Sequence, residues 1–411
     1  MLKLLQLFSL AVTLYSSVSA TNSTVELTTF NTAGAALIGQ WRERFSVLLT
    51  ELPKSTADVL CLQEVFLETD ILAIVNATSA TFPYHVRLET HPSATPPCDD
   101  AIALQSALGC MQTRCPSNDS DPVAPLLCSL LEENCRSLFR AVGQRCLNCL
   151  VIGSPITGSL NNPLSCLGDT GVSYVSTNGL LLLSKIPLSN AVADSFNIAA
   201  GEIQLVPRGY LSAEVENLGT VVCSHFPTYF RRPEIPYIGP VEFESVEEEQ
   251  NAYFQQLMNR YSSKSPLFLM GDYNHGPSIG NAVAAEFPRV YEKVLAQRYI
   301  SPAVTKVGLC TFCSENVLVS SDYIPGTLAN RPTNSTGVII DHIYIPSQLS
   351  SNVMGARLIY DGVLPIGVPL SDHYGLSVTY QIGETMAEDP IEMFEEWKSA
   401  FNVWKKNKEE C

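Results

Sequence analysis

Short apolar runs alternate with amphipathic segments along most of the chain. Runs of apolar residues bounded by polar or turn-forming residues predict strands. We expect strands over Val25–Asn31, Val59–Gln63, Gly179–Leu183, Tyr210–Val215, Thr220–His225, Leu267–Gly271, Val338–Ile345 and Leu376–Tyr380. The segment Ala35–Leu52 instead carries Trp41, Phe45 and Leu48 at helical spacing, which predicts an amphipathic helix. Many strands with interspersed helices indicate a layered α/β body.

Residues 98–166 break this pattern. The segment has no apolar strand run, its stretch Leu126–Leu150 has a helical pattern, and it holds eight of the chain's 13 cysteines: Cys98, Cys110, Cys115, Cys128, Cys135, Cys146, Cys149 and Cys166. In an exported chain, so dense a group of cysteines predicts disulfides. A zinc cluster is the alternative, but the segment has no histidine and no pair of CxxC motifs frames it. We expect a disulfide-stapled insertion.

The first twenty residues have the composition of a signal peptide. Lys3 precedes the apolar run Leu4–Leu14, and small residues lead up to Ala20. Four Asn-x-Ser/Thr sequons agree with export, at Asn22, Asn76, Asn118 and Asn334. We therefore expect a secreted, extracellular glycoprotein.

The remaining chain divides into a main domain with one interruption. We expect a catalytic domain formed by residues 21–97 and 167–385, the cysteine-rich insertion over residues 98–166, and an amphipathic helix over residues 386–411. That helix carries Phe394, Trp397, Phe401 and Trp404 at spacings of three and four. Such a stripe is more often docked on its own domain than inserted in a membrane.

The chain is acidic, with a formal net charge of −16. This charge argues against tight, non-specific binding of nucleic acid, which depends on Lys and Arg to neutralise phosphates. It does not exclude a nuclease, because a bound divalent metal inverts the local charge.

Five short polar signals accompany the predicted strands. They are Asn31, Gln63-Glu64, Ser224-His225, Gly271-Asp272-Tyr273-Asn274, and the pair Asp341-His342 with Ser371-Asp372-His373. We predict that each stands at the end of a strand, where a rigid sheet holds polar groups in a shared cleft. Taken alone, Glu64 is better explained as a surface acid and His225 as a core histidine, and the other segments as turns or caps. Their order and chemical completeness favour a site.

The set contains the groups needed to hydrolyse a phosphodiester. Carboxylate and amide oxygens suit a hard cation such as Mg²⁺, and Glu64 with Asn31 supplies them. His373 and His225 are suited to activate water and to meet the developing charge near neutral pH. Asp341 is suited to fix the tautomer of the base.

The series resembles the endonuclease/exonuclease/phosphatase superfamily. The motifs of that superfamily are a strand-terminal Asn, a QE pair, a His, GD(F/Y)N, ID-x-I and a terminal SDH. They stand here, in the same order, as Asn31, Gln63-Glu64, His225, Gly271-Asp272-Tyr273-Asn274, Ile340-Asp341-His342-Ile343 and Ser371-Asp372-His373. The resemblance covers residues 25–381, with the insertion as its interruption.

This resemblance implies a fold and roles for the site residues. The fold is an α/β four-layer α/β/β/α sandwich of two packed mixed sheets. Glu64 binds Mg²⁺, or another divalent cation such as Mn²⁺, with Asn31 nearby and Asp372 supporting the metal or His373. Asp272 and Asn274 place the water and the phosphate, and His225 stabilises or protonates on the opposite side. His373 acts as base with Asp341 behind it, although members of the superfamily differ on whether the GDxN Asp takes the proton instead.

Three local segments resemble neutral sphingomyelinases in particular. They are Leu62-Gln63-Glu64-Val65-Phe66, the strand from Asn178 through Leu188, and Arg208-Gly209-Tyr210. The resemblance implies phospholipase C-type hydrolysis of a phospholipid headgroup, with peripheral membrane contact. A secreted endonuclease, or another phosphodiesterase or phosphatase acting on nucleic acid or another substrate, is the alternative. An inactive binding protein is least favoured, because every catalytic residue type is present.

The other cysteines and the role of the insertion complete the predictions. Cys310 and Cys313 are expected to form a structural disulfide, whereas Cys61 and Cys223, in predicted core strands, are expected to be buried free thiols. Two hypotheses for the insertion are equally favoured. It is either a structural brace or a lid whose leucines face lipid, namely Leu126, Leu127, Leu130 and Leu131.

Overall fold

A computed structural model describes the part of the chain that holds all the expected site residues. It covers residues 23–34, 40–88, 96–115, 124–153, 166–167, 178–199, 202, 204, 206–228, 240, 242–264, 266–319 and 337–382. The expected signal peptide, three of the four sequons and the helix expected over residues 386–411 lie outside these ranges. The sequon residue Asn76 lies inside them and is exposed. Within these ranges no helix has the length and apolar character needed to span a bilayer.

Fourteen strands are present in the described residues. In chain order they are β1 (Thr24–Asn31), β2 (Val59–Gln63), β3 (Tyr84–Arg87), β4 (Leu181–Ser184), β5 (Leu188–Ser195), β6 (Gly209–Val215), β7 (Gly219–His225), β8 (Leu267–Asp272), β9 (Tyr299–Ile300), β10 (Phe312–Cys313), β11 (Gly337–Val338), β12 (Asp341–Pro346), β13 (Val353–Ile359) and β14 (Gly375–Gln381). The single strand predicted over Val338–Ile345 is wrong, because Ile339 and Ile340 separate β11 from β12.

Twelve of these strands form two six-stranded sheets. The first sheet has the order β13-β14-β1-β2-β4-β3, and the second has the order β5-β6-β7-β8-β12-β9. Each sheet is mixed: β1 pairs in parallel with β2 and β7 with β8, whereas β14 and β12 run antiparallel to their neighbours β1 and β8. The strands β10 and β11 form a separate two-stranded ribbon.

The central strands are apolar on both faces because both faces are covered. In β2, Val59 and Cys61 point into the cluster between the two sheets, whereas Leu60 and Leu62 join the cluster under the first helical layer. The continuous apolar run VLCLQ therefore reflects a strand that is buried on its two sides.

Helices cover the outer face of each sheet. They are α1 (Trp41–Glu51), α2 (Glu68–Thr78), α3 (Ala101–Arg114), α4 (Ala124–Leu131), α5 (Glu133–Ala141), α6 (Gly143–Asn148), α7 (Val246–Tyr261) and α8 (Pro288–Ala296). Side chains of α1 and α2 pack on the first sheet, and side chains of α7 and α8 pack on the second. The expected four-layer α/β/β/α sandwich is confirmed.

The insertion is a helical part of the first outer layer. Its residues Leu104, Phe139 and Leu147 belong to the same apolar cluster as Phe66 and Ile71 of the main domain. The helical pattern predicted over Leu126–Leu150 is confirmed, and the chain forms three short helices there, α4, α5 and α6.

One leucine of the lid hypothesis is buried in this packing. The side chain of Leu130 is 3 % exposed and lies in the shared cluster, so it does not face lipid; that of Leu131 is 39 % exposed. The side chains of Leu126 and Leu127 lie outside the described part of the chain.

Six disulfides are present in the described residues. The eight insertion cysteines pair among themselves as Cys98–Cys146, Cys110–Cys135, Cys115–Cys128 and Cys149–Cys166, and Cys310 pairs with Cys313, which confirms both predictions. The prediction of free thiols at Cys61 and Cys223 is wrong. These two residues face each other between the sheets, with Cα atoms 5.4 Å apart, and form a disulfide that joins β2 to β7.

Candidate active site

The polar signals meet at one edge of the two sheets. Asn31 ends β1 and Glu64 follows its parallel neighbour β2, while His225 and Asp272 end the parallel pair β7 and β8 as register partners. Asp341 is the register partner of Asp272 from the other side.

The two segments of the fifth signal do not follow strands, contrary to the prediction. Asp341 begins β12, and the segment holding His373 comes just before β14. Both strands run antiparallel to their neighbours, so their beginnings lie at the edge where β1 and β8 end.

The carboxylate of Asp272 lies at the centre of the site. Its Oδ2 atom is 3.0 Å from Asn31 Nδ2, 3.3 Å from His225 Nε2 and 3.8 Å from His373 Nε2. Its Oδ1 atom accepts a hydrogen bond of 2.9 Å from the backbone N–H of Asn274. Burial is the main influence on this carboxylate and raises its pKa.

His373 is held by Asp341. The Nδ1 atom of His373 lies 2.9 Å from Asp341 Oδ2, and the other ring nitrogen, Nε2, lies 3.8 Å from Asp272 Oδ2 and 3.9 Å from Asp372 Oδ1. Burial opposes a charge on the imidazole, but Asp341, Asp372 and Asp272 outweigh it and raise the pKa of His373 well above its usual range. The chemical arrangement is that of an oriented base with an acid behind it.

The Cys310–Cys313 segment supports this pair. The hydroxyl of Thr311 accepts hydrogen bonds of 3.1 and 3.2 Å from the N–H groups of Ile340 and Asp341. The ring of Phe312 lies against that of His373, with centroids 4.9 Å apart. The short disulfide loop therefore forms one wall of the site.

His225 has a different environment. Its Nδ1 atom is 2.7 Å from the guanidinium Nη1 of Arg208, which is itself buried. Burial first, and the charge of Arg208 second, lower the pKa of His225 well below its usual range. The two site histidines thus shift in opposite directions, because one faces carboxylates and the other an arginine.

Backbone constraints fix the edge. Glu64 and Asn274 adopt left-handed backbone angles, with φ of 60° and 52°. At Gly271, with φ of 152°, a Cβ atom would lie 1.9 Å from the carbonyl oxygen of Ser224. Glycine there allows β7 and β8 to bring His225 and Asp272 together.

Arg44 is a supporting residue that the sequence prediction missed. It is fully buried and donates hydrogen bonds of 2.8 to 3.0 Å to the carbonyl oxygens of Thr32, Ala33 and Leu370. Burial lowers its pKa to about 10, against the nearby charge of Asp372. It therefore joins the loop after β1 to the loop that carries His373. Its position within the apolar stripe of α1, beside Trp41 and Phe45, was the signal that could have identified it.

The donor set fits a divalent metal ion. Asn31 Nδ2 lies 3.3 Å from Glu64 Oε1, and Asn31 Oδ1 accepts a hydrogen bond from Ala33 N. In this orientation Asn31 holds the Glu64 carboxylate, and Glu64 is the oxygen donor. The carboxylates of Asp272, Asp341 and Asp372 lie 2.9 to 3.9 Å from the ring nitrogens of His373, and a cation would compensate this concentration of negative charge.

Ligand atoms of Asp272, Asp341 and His373 also lie within 4.8 Å of one another. The hydrogen bond between His373 and Asp341 already occupies two of these groups, so the trio is better described as a proton-transfer arrangement. Asp372 lies beside His373, with Oδ1 3.9 Å from Nε2, and Ser371 joins its loop to β1 through a bond of 2.7 Å to Asn31 O.

Comparisons with known proteins agree with this arrangement. A model described as the Endonuclease/Exonuclease/phosphatase family matches residues 28–373. No curated protein matches the chain significantly. Among solved structures, SmcL is 10 % identical with a TM-score of 0.50, covering 87 % of this chain and 99 % of its own.

Two further solved structures match this chain over a similar share of its length. Sphingomyelinase C from Streptomyces griseocarneus is 14 % identical with a TM-score of 0.48, covering 87 % of this chain and all of its own. A 3'-5' exonuclease from Neisseria meningitidis is 12 % identical with a TM-score of 0.48 and the same coverage. The likeness to SmcL, at 10 % identity, concerns the fold alone.

Proposed function

The chain belongs to the Endonuclease/Exonuclease/phosphatase family, whose members are hydrolases acting on phosphoester bonds, and from this premise we propose that it is a metal-dependent phosphodiesterase. The observation that carries the proposal is the convergence on Asp272. One carboxylate oxygen faces Asn31 of the first sheet, and His225 and His373 from two other segments. Such a set of acid, amide and imidazole groups suits attack of water on a phosphorus centre.

Glu64, held by Asn31, is the residue proposed to bind Mg²⁺ or Mn²⁺. When bound, the cation would neutralise charge on the phosphoryl oxygens. Asp372 is proposed to support this site or the neighbouring His373.

The proton of the attacking water has two candidate acceptors. His373 is oriented by Asp341 and presents Nε2 to the cleft, and Asp272 lies 3.8 Å from that atom. Asn274, whose side chain donates to the carbonyl oxygen of Phe226, is held where it can orient the phosphate. The neighbouring carboxylates raise the pKa of His373, so we propose that His373, with Asp341 behind it, serves as the base when a bound cation would offset their charge. Asp272 and Asn274 are the groups proposed to place the reactants.

The proposed substrate is a phospholipid headgroup of the sphingomyelin type. The local resemblance around Glu64, Asn178 and Arg208 supports it, as does the net charge of −16, since a choline cation favours acidic or aromatic surroundings. A hairpin just before Ser371, closed by the bridge between Val363 and Pro369, carries exposed apolar side chains at Val363 and Ile366. These side chains would contact lipid more favourably than nucleic acid.

Export of the protein is also proposed. Six disulfides in the described residues are typical of proteins in an oxidising compartment.

A substrate panel tests the proposal. Sphingomyelin, phosphatidylcholine, DNA and RNA are each incubated with the protein and Mg²⁺, and then with a chelator. The expected result is chelator-sensitive release of phosphocholine from sphingomyelin, absent in His373→Asn. Cleavage of DNA or RNA alone would reassign the substrate, and turnover that survives chelation would contradict the metal-dependent mechanism.

A further inference from the structure

Arg208 and His225 form a buried pair whose geometry limits the chemistry of His225. Arg208 Nη1 is 2.7 Å from His225 Nδ1, and both side chains are buried. On the other side of the imidazole, Nε2 lies 3.3 Å from Asp272 Oδ2.

Arginine decides which nitrogen of His225 carries the hydrogen. A guanidinium has only N–H donors and stays protonated in proteins, so the atom that it contacts must be an acceptor. His225 Nδ1 is therefore unprotonated, and the hydrogen of the neutral imidazole lies on Nε2, directed at Asp272 and the cleft. Protonation of Nδ1 would place two donors against each other at 2.7 Å.

We propose that Arg208 is a positioning residue that fixes His225 as the neutral tautomer with its hydrogen on Nε2. His225 then donates a hydrogen bond to a phosphoryl oxygen and does not act as an imidazolium acid. The role of His225 as a hydrogen-bond donor to phosphate rests on the proposed phosphodiesterase function. The tautomer of His225 does not depend on which substrate is bound.

The charges around His225 agree with this assignment. Burial acts most strongly against the charged form of the His225 ring; Arg208 and His373 also oppose a proton on it, whereas Glu64 and Asp341 favour one. The pKa of His225 is lowered as a result.

A hydrogen-bond network holds Arg208 in place. Its backbone N–H donates to Gln204 Oε1 at 3.3 Å, and Gln204 Nε2 donates to Glu249 Oε1 at 3.2 Å and to the hydroxyl of Tyr253. Gln204 is bound in turn by Gln144 of α6, through two bonds of 2.7 Å between its backbone and the Gln144 side chain. The cysteine-rich insertion is therefore connected to His225 by a chain of hydrogen bonds through Gln204 and Arg208.

Two alternative roles for Arg208 are less consistent with its contacts. The carboxylates of Glu64, Asp272 and Glu249 favour the charge of Arg208, but its Nη1 atom contacts the ring nitrogen of a site residue, which a purely structural cation would not need to do. A direct phosphate ligand would present its guanidinium to solvent, whereas Arg208 is 7 % exposed.

Histidine NMR tests the assignment without reference to activity. The chain has six histidines, so ¹⁵N-histidine labelling gives few signals, and the His225→Asn variant identifies those of His225. In the intact protein with Mg²⁺, we expect Nε2 protonated and Nδ1 unprotonated at neutral pH. In Arg208→Met, where Asp272 still favours a hydrogen on Nε2, we expect Nδ1 to gain a proton, which gives the imidazolium. In Arg208→Lys, which keeps a cationic donor, we expect Nδ1 to stay unprotonated.

Kinetics with bis(p-nitrophenyl) phosphate provide the second measurement. Arg208→Met is expected to lower kcat about tenfold to a hundredfold with little change in KM, as is typical when a group that orients a site residue is removed. The matched control is Arg260→Met, which removes an exposed arginine that lies over the ring of Tyr210 and pairs with Asp194. Circular dichroism shows whether each variant is folded.

The outcomes separate this inference from the proposed function. An unchanged His225 tautomer in a folded Arg208→Met would overturn the assignment, as would a kcat equal to that of the control. If no phosphodiester is cleaved by the intact protein, the proposed function fails, and the NMR signals still decide the role of Arg208.

Discussion

The disulfide between the sheets offers a quantitative test of how the two halves of the site are held together. Cys61 lies three residues before Glu64, and Cys223 lies two residues before His225. The bond is buried in the apolar cluster between the sheets. Replacing both cysteines by alanine removes this cross-link and leaves every proposed catalytic side chain in place.

The magnitude follows from the length of chain that the bond closes. The two cysteines are 162 residues apart in sequence. The insertion disulfides shorten the covalent path to roughly 100 residues, for which the chain-entropy relation gives about 5 kcal/mol of stabilisation. The Cys310–Cys313 bond closes a much shorter loop, because its two cysteines are only 3 residues apart in sequence. The same relation gives about 2 kcal/mol for that bond, so its double alanine variant is a matched control.

Guanidinium unfolding monitored by circular dichroism measures the difference. The Cys61→Ala/Cys223→Ala variant should lose several kcal/mol more of unfolding free energy than the Cys310→Ala/Cys313→Ala variant. At low temperature, where both remain folded, the first variant should keep its kcat within a few-fold because the apolar cluster still aligns the sheets. If the first variant is the more stable of the two, the loop-entropy reasoning is refuted.

Three further predictions concern the metal, pH and the insertion. Glu64→Gln should keep the fold and lower kcat by roughly two orders of magnitude, and full activity would contradict its role in metal binding. Burial lowers the pKa of His342 from 6.5 to about 4, so the unfolded state gains a proton first as pH falls. The His342 contribution to unfolding free energy should therefore be intact above pH 6.5 and fall by about 3 kcal/mol by pH 4, which a shallower pH slope in His342→Gln would verify. Replacing Cys98–Cys166 by a Gly/Ser linker should abolish hydrolysis of embedded lipid but spare a soluble phosphodiester if the insertion selects substrate; equal retention of both would disprove selection, and loss of both would show that the main domain needs the packing of the insertion and its contact from Gln144 to Gln204.

The elements that could be predicted from sequence are those buried on both faces. The strands β2, β7 and β8 are continuous apolar runs, and their predicted bounds differ from the observed ones by at most one residue. By contrast, β5 and β13 were missed because they are edge strands with exposed polar side chains, as in the run SNAVADS. The helix α3 was missed because its apolar residues do not form a clear stripe.

The site was predictable in its residue types but not in its connections. Polar residues such as Glu64 and Asp272 stand out where apolar runs end. The bond from Cys61 to Cys223 and the contact from Arg208 to His225 join strands by sheet packing and register, which a single sequence does not encode locally. The same reason explains the position of Asp341, since strand direction depends on the neighbour that the strand joins.

The pairing of β1 has a consequence for the growing polypeptide. This strand lies between β2 and β14, and its first residue, Thr24, pairs with Gln381. A nascent chain can form β2 and β4 early, but the first sheet stays open along β1 until β14 has been synthesised and closes a loop of more than three hundred residues. His373 lies just before β14, so the proposed catalytic edge cannot be completed before β14 has been synthesised. The chain should therefore be inactive until that point, and shortening it before Gly375 should yield no partially active product.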